Sequence, residues 1–169
     1  MLKVFIQGLR DGIYDVEAEC PVEQIADMFP EFFGIVRAKG SMRILGKRHT
    51  VNIVAECDAK LICDISLEEY TETITATLNV AYMADEELFT IGAGSDIATA
   101  EERIIHPDNK YIDITEEVRE ELCVCLPLKR VAPAYRDKEL ADIFPDLVPE
   151  NSAAPTDDRW ANLKNIKLN

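Results

Sequence analysis

Nucleophilic catalysis needs a nucleophile beside a general base that a third group orients. This chain offers two histidines for that role, His49 and His106. His49 follows the basic dipeptide Lys47-Arg48, and His106 precedes Pro107 in an expected loop. Cys63 with His49 is the one thiol–imidazole pair to weigh; a surface histidine and a buried thiol are the plainer reading. The five cysteines, Cys20, Cys57, Cys63, Cys123 and Cys125, do not space like a zinc cage, which takes pairs of Cys or His at short range. Cys123 and Cys125 fall in an expected helix, where side chains two apart point about 200° away from each other. Cys57 and Cys63 are separated across an expected strand bend. An odd cysteine count with no export signal argues for free thiols. No G-x-G-x-x-G or Walker-type loop is present to cradle phosphates. Carboxylate runs such as Glu68-Glu69, Asp85-Glu86-Glu87 and Glu116-Glu117 read as solvated surface in so acidic a chain. No catalytic residue, cofactor or metal is expected, and the chain reads as a binding protein rather than an enzyme.

Charge says more about partners. The 169 residues carry 18 Lys and Arg against 32 Asp and Glu, a formal net charge of -14. Such a field repels phosphate backbones and attracts basic proteins. Its distribution is uneven. Between Arg37 and Lys60 stand Arg37, Lys39, Arg43, Lys47, Arg48 and Lys60, opposed by Glu56 and Asp58 alone; from Met83 to Glu121 the acids dominate. A locally basic patch at Arg43, Lys47 and Arg48 is therefore a candidate for local contact with RNA, and Asp85, Glu86 and Glu87 for contact with a basic partner. The chain has no apolar run of the ~20 residues a membrane span needs, and Met1–Gly8 is too short and too early broken for a signal peptide. A cytoplasmic protein with no membrane partner is expected.

These residues must be positioned by a sheet. Residues 13–19 and 34–45 read as extended, with a helix between them from Pro21 to Phe29, where Val22, Ile25, Ala26 and Phe29 fall at helical spacing. Val51, Ile53, Ala55 and Cys57 alternate with polar neighbours, broken at Val54. Over 71–82 the alternation is cleaner: Ile74, Ala76, Leu78, Val80 and Tyr82 face one way, and Thr71, Thr73, Thr75, Thr77 and Asn79 the other, as in a half-solvated antiparallel strand. Leu45-Gly46-Lys47-Arg48 marks a hairpin turn. Residues 84–103 read as a loop, and Ile114 to Leu126 as a helix with the stripe Ile114, Val118, Leu122 and Cys125, capped by Asp113 and Glu116 and stopped by Pro127. The fold class is α+β: an antiparallel sheet or partial barrel with two or three flanking helices. Residues 1–130 form the expected domain, 131–156 a proline-rich linker holding Pro133, Pro145, Pro149 and Pro155, and 157–169 a C-terminal helix that packs back, with Trp160, Leu163 and Ile166 on one face.

Three blocks then carry a resemblance. Leu61-Ile62-Cys63-Asp64-Ile65-Ser66-Leu67-Glu68-Glu69-Tyr70 resembles the Cys-Asp-Arg-Cys-Leu-Glu-x-aromatic signature of the YceD-like family, the large ribosomal RNA subunit accumulation proteins. Ile112 to Leu122, running into Leu126-Pro127-Leu128-Lys129-Arg130-Val131, is similar to that family's Asp-x-x-x-x-Val-Arg-Glu-x-Leu…Leu-Pro block. Asp157-Asp158-Arg159-Trp160-Ala161-Asn162-Leu163 resembles its Asp-Pro-Arg-Trp-x-x-Leu ending. Ser66 holds the place of the family's second cysteine, and the cysteine pairs expected after the Leu-Pro block are missing from 131–146, so any metal cluster they build in relatives is lost here. The resemblance implies a non-enzymatic role in accumulation of large-subunit rRNA in bacteria. The partner it suggests is a basic ribosomal protein or assembly factor, and it marks Arg119, Arg159 and Trp160 as candidate binding residues. A small-molecule carrier or thiol-dependent enzyme using a cavity near Cys63 is the alternative.

Overall fold

The computed structural model describes residues 1–92, 102–138 and 140–144. The chain divides into two compact units, Met1–Ala132 and Pro133–Asn169. Within the described part of the second unit are one 3-10 turn at Pro133–Tyr135 and a short helix, Leu140–Ile143. The expected helix over 157–169, with Arg159 and Trp160, lies outside the described residues, as does most of the expected linker.

The first unit is built on a five-stranded sheet in the order β2-β3-β4-β5-β6, with a two-stranded sheet of β1 and β7. The strands are β1 (Lys3–Phe5), β2 (Gly12–Pro21), β3 (Phe32–Leu45), β4 (Arg48–Ile62), β5 (Glu69–Ala84), β6 (Glu102–Ile105) and β7 (Tyr111–Asp113). Helix α1 spans Glu86–Gly92 and α2 spans Thr115–Val124. The long strands β2 to β5 form an antiparallel meander, and β6 adds to β5 in parallel, pairing Ala81–Ala84 with Glu102–Ile105. The sheet is thus mixed and open, an α+β architecture, with one parallel pair that the antiparallel expectation did not contain.

Alternation explains the layers. On β4, Val51, Ile53, Ala55, Cys57, Ala59 and Leu61 are buried, while Asn52, Val54, Glu56 and Lys60 are exposed. Val54, the residue that interrupts the polar run, faces outward with Lys39 and Thr77 as its cross-strand partners. On β5 the buried set is Ile74, Ala76, Leu78, Ala81, Tyr82 and Ala84, with the threonines outside. Helix α2 packs on β4 and β5, contributing Val118 and Leu122, both fully buried. Each such side chain contributes about 1.5–3 kcal/mol of hydrophobic burial. The β1–β7 ladder adds Leu2, Val4 and Ile112 to the same core, and Ile114 N donates to Leu2 O at 3.0 Å. The outward face of the five-stranded sheet remains solvated.

Two expected elements differ. The helix over Pro21–Phe29 is a single 3-10 turn at Val22–Gln24. Ile25 already has extended backbone (φ −102°, ψ 114°) and Asp27 sits at φ 55°, which no α-helix accommodates. The spacing of Val22 and Ile25 therefore serves one tight turn that buries Ile25. The loop expected over 84–103 contains α1 and the start of β6, because Asp85 supplies a cap that starts a helix.

Candidate functional site

The basic and acidic patches expected from sequence meet at one corner. The β3–β4 turn places Gly46 at φ 57°, a left-handed conformation that costs glycine little, and Asp11 Oδ1 accepts from Gly46 N at 2.9 Å. The next residue, Lys47, reaches Asp85 Oδ2 at 2.6 Å. Asp85 Oδ1 accepts from the amides of Glu87 (3.0 Å) and Leu88 (3.1 Å), the first turn of α1. The hydrogen bond with Asp85 holds the Lys47 ammonium above its ordinary range, and the same bond, with the α1 amides, holds the Asp85 carboxyl below its own. Glu86 and Glu87 point outward from α1 and are exposed. Arg43 lies on the outward sheet face, paired in register with Ile13 and Thr50, and Arg48 begins β4 opposite Met83. So Arg43, Arg48, Glu86 and Glu87 are displayed outward, whereas Lys47 and Asp85 hold one another.

Arg119 lies on α2, one turn from the helix start. Its guanidinium binds Glu116 and also lies 3.7 Å from Glu120. The Glu116 carboxylate is held below its usual range by that pairing.

The family-like blocks are neighbours in space. The turn after β4 closes through Leu67 N to Cys63 O and Cys63 N to Glu68 O, both 2.9 Å. The segment that follows the Leu126-Pro127 pair returns to it. Asp64 N donates to Arg130 O and Arg130 N to Asp64 Oδ2, both at 2.7 Å. The Arg130 guanidinium reaches Glu31 at 3.0 Å, and Ala132 N donates to Cys63 Sγ at 3.4 Å. Burial pushes the Cys63 thiol up, but the amides of Ala132, Ser66 and Ile65 and the Ser66 side chain together outweigh it and bring the thiol down to about 7. Ser66, where the family signature has its second cysteine, thus helps to hold a thiolate instead of supplying a second sulfur. The thiol itself is fully shut off from solvent.

The thiol–imidazole pair does not form. His49 stands at the start of β4 and Cys63 just past its end, about 46 Å apart at about 3.3 Å per strand residue. His49 is buried, and burial lowers its imidazole from the ordinary 6.5. Cys57 and Cys63 share the inward face of β4 and its continuation, about 20 Å apart by the same rise, with no intervening bend. Burial raises the Cys57 thiol to about 11. All five cysteines are free thiols, and among the described residues no three His, Cys, Asp or Glu side chains converge as metal ligands do. The donors present here do not fit a metal cluster of the kind that the family's cysteine pairs suggest.

One polar cluster escaped the sequence reading. Glu117, 4% exposed, projects from α2 toward the sheet, where its Oε1 accepts from Tyr82 Oη at 3.0 Å and from Arg103 at 2.8 Å. Its Oε2 has no partner among the described residues. The neighbouring acid Glu116 is exposed, so the doublet that reads as uniform surface splits into one solvated and one buried carboxylate. The available signal was the helical stripe itself, since Glu117 precedes the buried Val118.

No helix of the described residues is long and apolar enough to cross a membrane. No curated protein and no solved structure matches the chain. The family model described as large ribosomal RNA subunit accumulation protein YceD matches residues 51–167, a span that takes in all three sequence blocks and well over half of the chain. The chain belongs to the YceD family, the large ribosomal RNA subunit accumulation proteins.

Proposed function

We propose that this protein is a non-enzymatic, cytoplasmic binding factor in biogenesis of the bacterial large ribosomal subunit, supporting accumulation of large-subunit rRNA. The observation that carries this reading is the family match over residues 51–167. The net charge of -14 favours a basic ribosomal protein or assembly factor as the partner, met by the outward carboxylates Glu86 and Glu87 of α1 and by the exposed acids of α2. A local rRNA contact would fall on Arg43 and Arg48 at the open sheet face, with Arg159 and Trp160 as further candidates. Arg43 forms no ion pair among the described residues, so its charge is free to meet a phosphate.

The test is sedimentation of cell extract through a sucrose gradient at low salt, with detection of this protein across the fractions. Comigration with large-subunit precursors is the expected outcome. Confinement to the light fractions, together with normal ribosome profiles in a deletion strain, overturns the proposal.

A further inference from the structure

The outer edge of the five-stranded sheet is long and unguarded. Strand β2 has a hydrogen-bonded neighbour on one side only. Its ten residues pair with β3 without a register break, a run of about 33 Å. Edge strands are commonly protected by brevity, a bulge, lysine, an internal proline or a charge turned inward. β2 has none of these: Pro21 is its last residue, and its inward side chains are Tyr14, Val16, Ala18 and Cys20. The direction of its backbone groups follows from the neighbouring hairpin. The two-residue turn Gly46-Lys47 closes on the Leu45–Arg48 pair, which in such a turn exchanges hydrogen bonds, and bonded and non-bonded pairs alternate from there. Carried across β3, this gives the even-numbered residues of β2 to β3. The N–H and C=O groups of Ile13, Asp15, Glu17 and Glu19 then face the open edge. No backbone hydrogen bond among the described residues reaches these four from that side.

A slot of about 290 Å³ lies at this edge, between β1 and β2. Four consecutive residues of β2, Tyr14 to Glu17, line it, so it opens on the strand's edge rather than on one face. Phe5 and Leu9, 71% and 37% exposed, give it apolar walls, with the buried Val16 and Met42 beneath. Its one cation, Lys3, sits over the Tyr111 ring, with Nζ 4.2 Å from the centroid. The outward side chains beside the slot are all acidic. Glu17 and Glu19 pair with Lys39 and Arg37 at 3.2 and 3.4 Å in exposed positions, where such pairs contribute little, and Asp15 has no ion pair among the described residues.

We propose that the open edge of β2 receives an extended segment of the basic partner as an added antiparallel strand. Its basic side chains stand opposite Asp15, Glu17 and Glu19, and an apolar side chain between them enters the slot against Phe5 and Leu9. The proposal rests on the reading of this chain as a binder of a basic protein, and names the place and mode of docking. Charge selects the occupant. A second copy pairing antiparallel about Glu17 would set Asp15 against Glu19 and Glu17 against itself, and like charges directly opposite destabilise a pair of strands. A phosphate backbone would meet the same three carboxylates. A strand with basic residues at alternate positions turns each of these oppositions into an attraction. Addition of a strand to an exposed sheet edge draws its affinity from main-chain hydrogen bonds and its specificity from alternate side chains, and β2 offers both.

The test is an amide NMR titration of the full chain with the blocked heptapeptide Lys-Val-Arg-Leu-Arg-Val-Lys. Two further peptides carry N-methyl groups, one on the amides of both arginines and the other on those of both valines. All three have the same charge and the same side chains. Residues opposite Asp15, Glu17 and Glu19 turn their amides to β2, whereas the residues between them turn theirs to solvent. Saturable shifts at the amides of Asp15, Glu17 and Glu19 are expected with the parent peptide. Methylation of the arginine amides is expected to weaken binding about tenfold or more, and methylation of the valine amides about twofold or less. Equal effects of the two methylations, or shifts without saturation over the whole acidic surface, overturn the proposal. Shifts of the β2 amides with protein concentration alone would place a second copy on the edge, and overturn it too. Discrimination between the methylated peptides by a protein that stays out of ribosomal fractions keeps the docking edge and removes the ribosomal reading. Comigration without that discrimination does the reverse.

Discussion

Lys47 and Asp85, 38 residues apart in sequence, meet at 2.6 Å and so fasten the β3–β4 turn to the first turn of α1. The same carboxylate caps that helix through the amides of Glu87 and Leu88. Lys47 is therefore part of the scaffold as well as part of the basic segment. Lys47→Glu places two carboxylates against each other and is expected to lower Tm by about 2–4 °C, the scale for a surface feature in a domain of this size. Arg43→Glu, which disturbs no ion pair among the described residues, is expected to leave Tm within a degree while weakening any association with RNA. Thermal melts of the two variants, run beside their gradient profiles, separate an RNA contact from a structural one. Equal Tm values for both would mean that the pair contributes nothing to the fold.

Gly40 fixes how closely β3 and β4 approach. A Cβ at this position would lie 2.1 Å from Asn52 O and 2.7 Å from Ile53 Cα, contacts with backbone that no rotamer change relieves. Gly40→Ala is expected to cost at least the ~1–3 kcal/mol typical of overpacking, and to shift or break the pairing of Gly40 with Ile53. Chemical denaturation measures the loss. A variant as stable as the parent would show that the strands separate here at little cost.

What could be read from sequence was what local pattern dictates. Alternation marked β4 and β5, and the stripe of Ile114, Val118 and Leu122 marked α2. Gly46 marked the turn. The helix expected after Pro21 failed because apolar residues three apart fit a single 3-10 turn as well as an α-helix, and the positive φ of Asp27 has no signature in residue type alone. Helix α1 was hidden because its capping residue, Asp85, looked like one more member of an acidic run. The site was less legible than the fold. Glu117 and Tyr82 are 35 residues apart and meet only because α2 docks on β5, so no local pattern signals their bond. The Cys63 turn was visible as a motif, but the return of Arg130 and Ala132 to it depends on where the chain leads after Pro127.

The Glu117 cluster makes a ranked prediction. Tyr82→Phe removes one of two donors to a buried carboxylate and is expected to cost about 1–3 kcal/mol. Arg103→Ala removes the only cation within ion-pair range among the described residues and is expected to cost more, about 3 kcal/mol, because a buried charge is left uncompensated. Adding Glu117→Leu to Arg103→Ala should recover part of that loss, since the buried carboxylate is gone and the Tyr82 hydroxyl alone loses its partner. Urea denaturation of the three variants checks the order. An Arg103→Ala protein no weaker than Tyr82→Phe would mean that the Arg103 ion pair contributes no more than the tyrosine hydrogen bond.

The last prediction concerns pH, where two groups act in windows that do not overlap. His49 has a folded pKa below the ordinary 6.5 because burial disfavours its charged form. Below about pH 6.5 the unfolded chain takes up a proton that the folded chain refuses, so stability is lost as pH falls. Cys63 has a folded pKa of about 7 against an ordinary value of 9.0. Its depressed value means that the folded chain releases the proton first, so stability rises from pH 7 to pH 9 and is lost again as pH falls through 7. Denaturation midpoints followed from pH 5.5 to 9 in reducing buffer should therefore climb in two steps. Conversion of His49→Gln should flatten the lower step alone, and Cys63→Ala the upper step alone. An upper step that survives in Cys63→Ala would show that the amides of Ala132, Ser66 and Ile65 do not hold a thiolate. The turn that matches the family's cysteine signature would then be a packing element with no special chemistry.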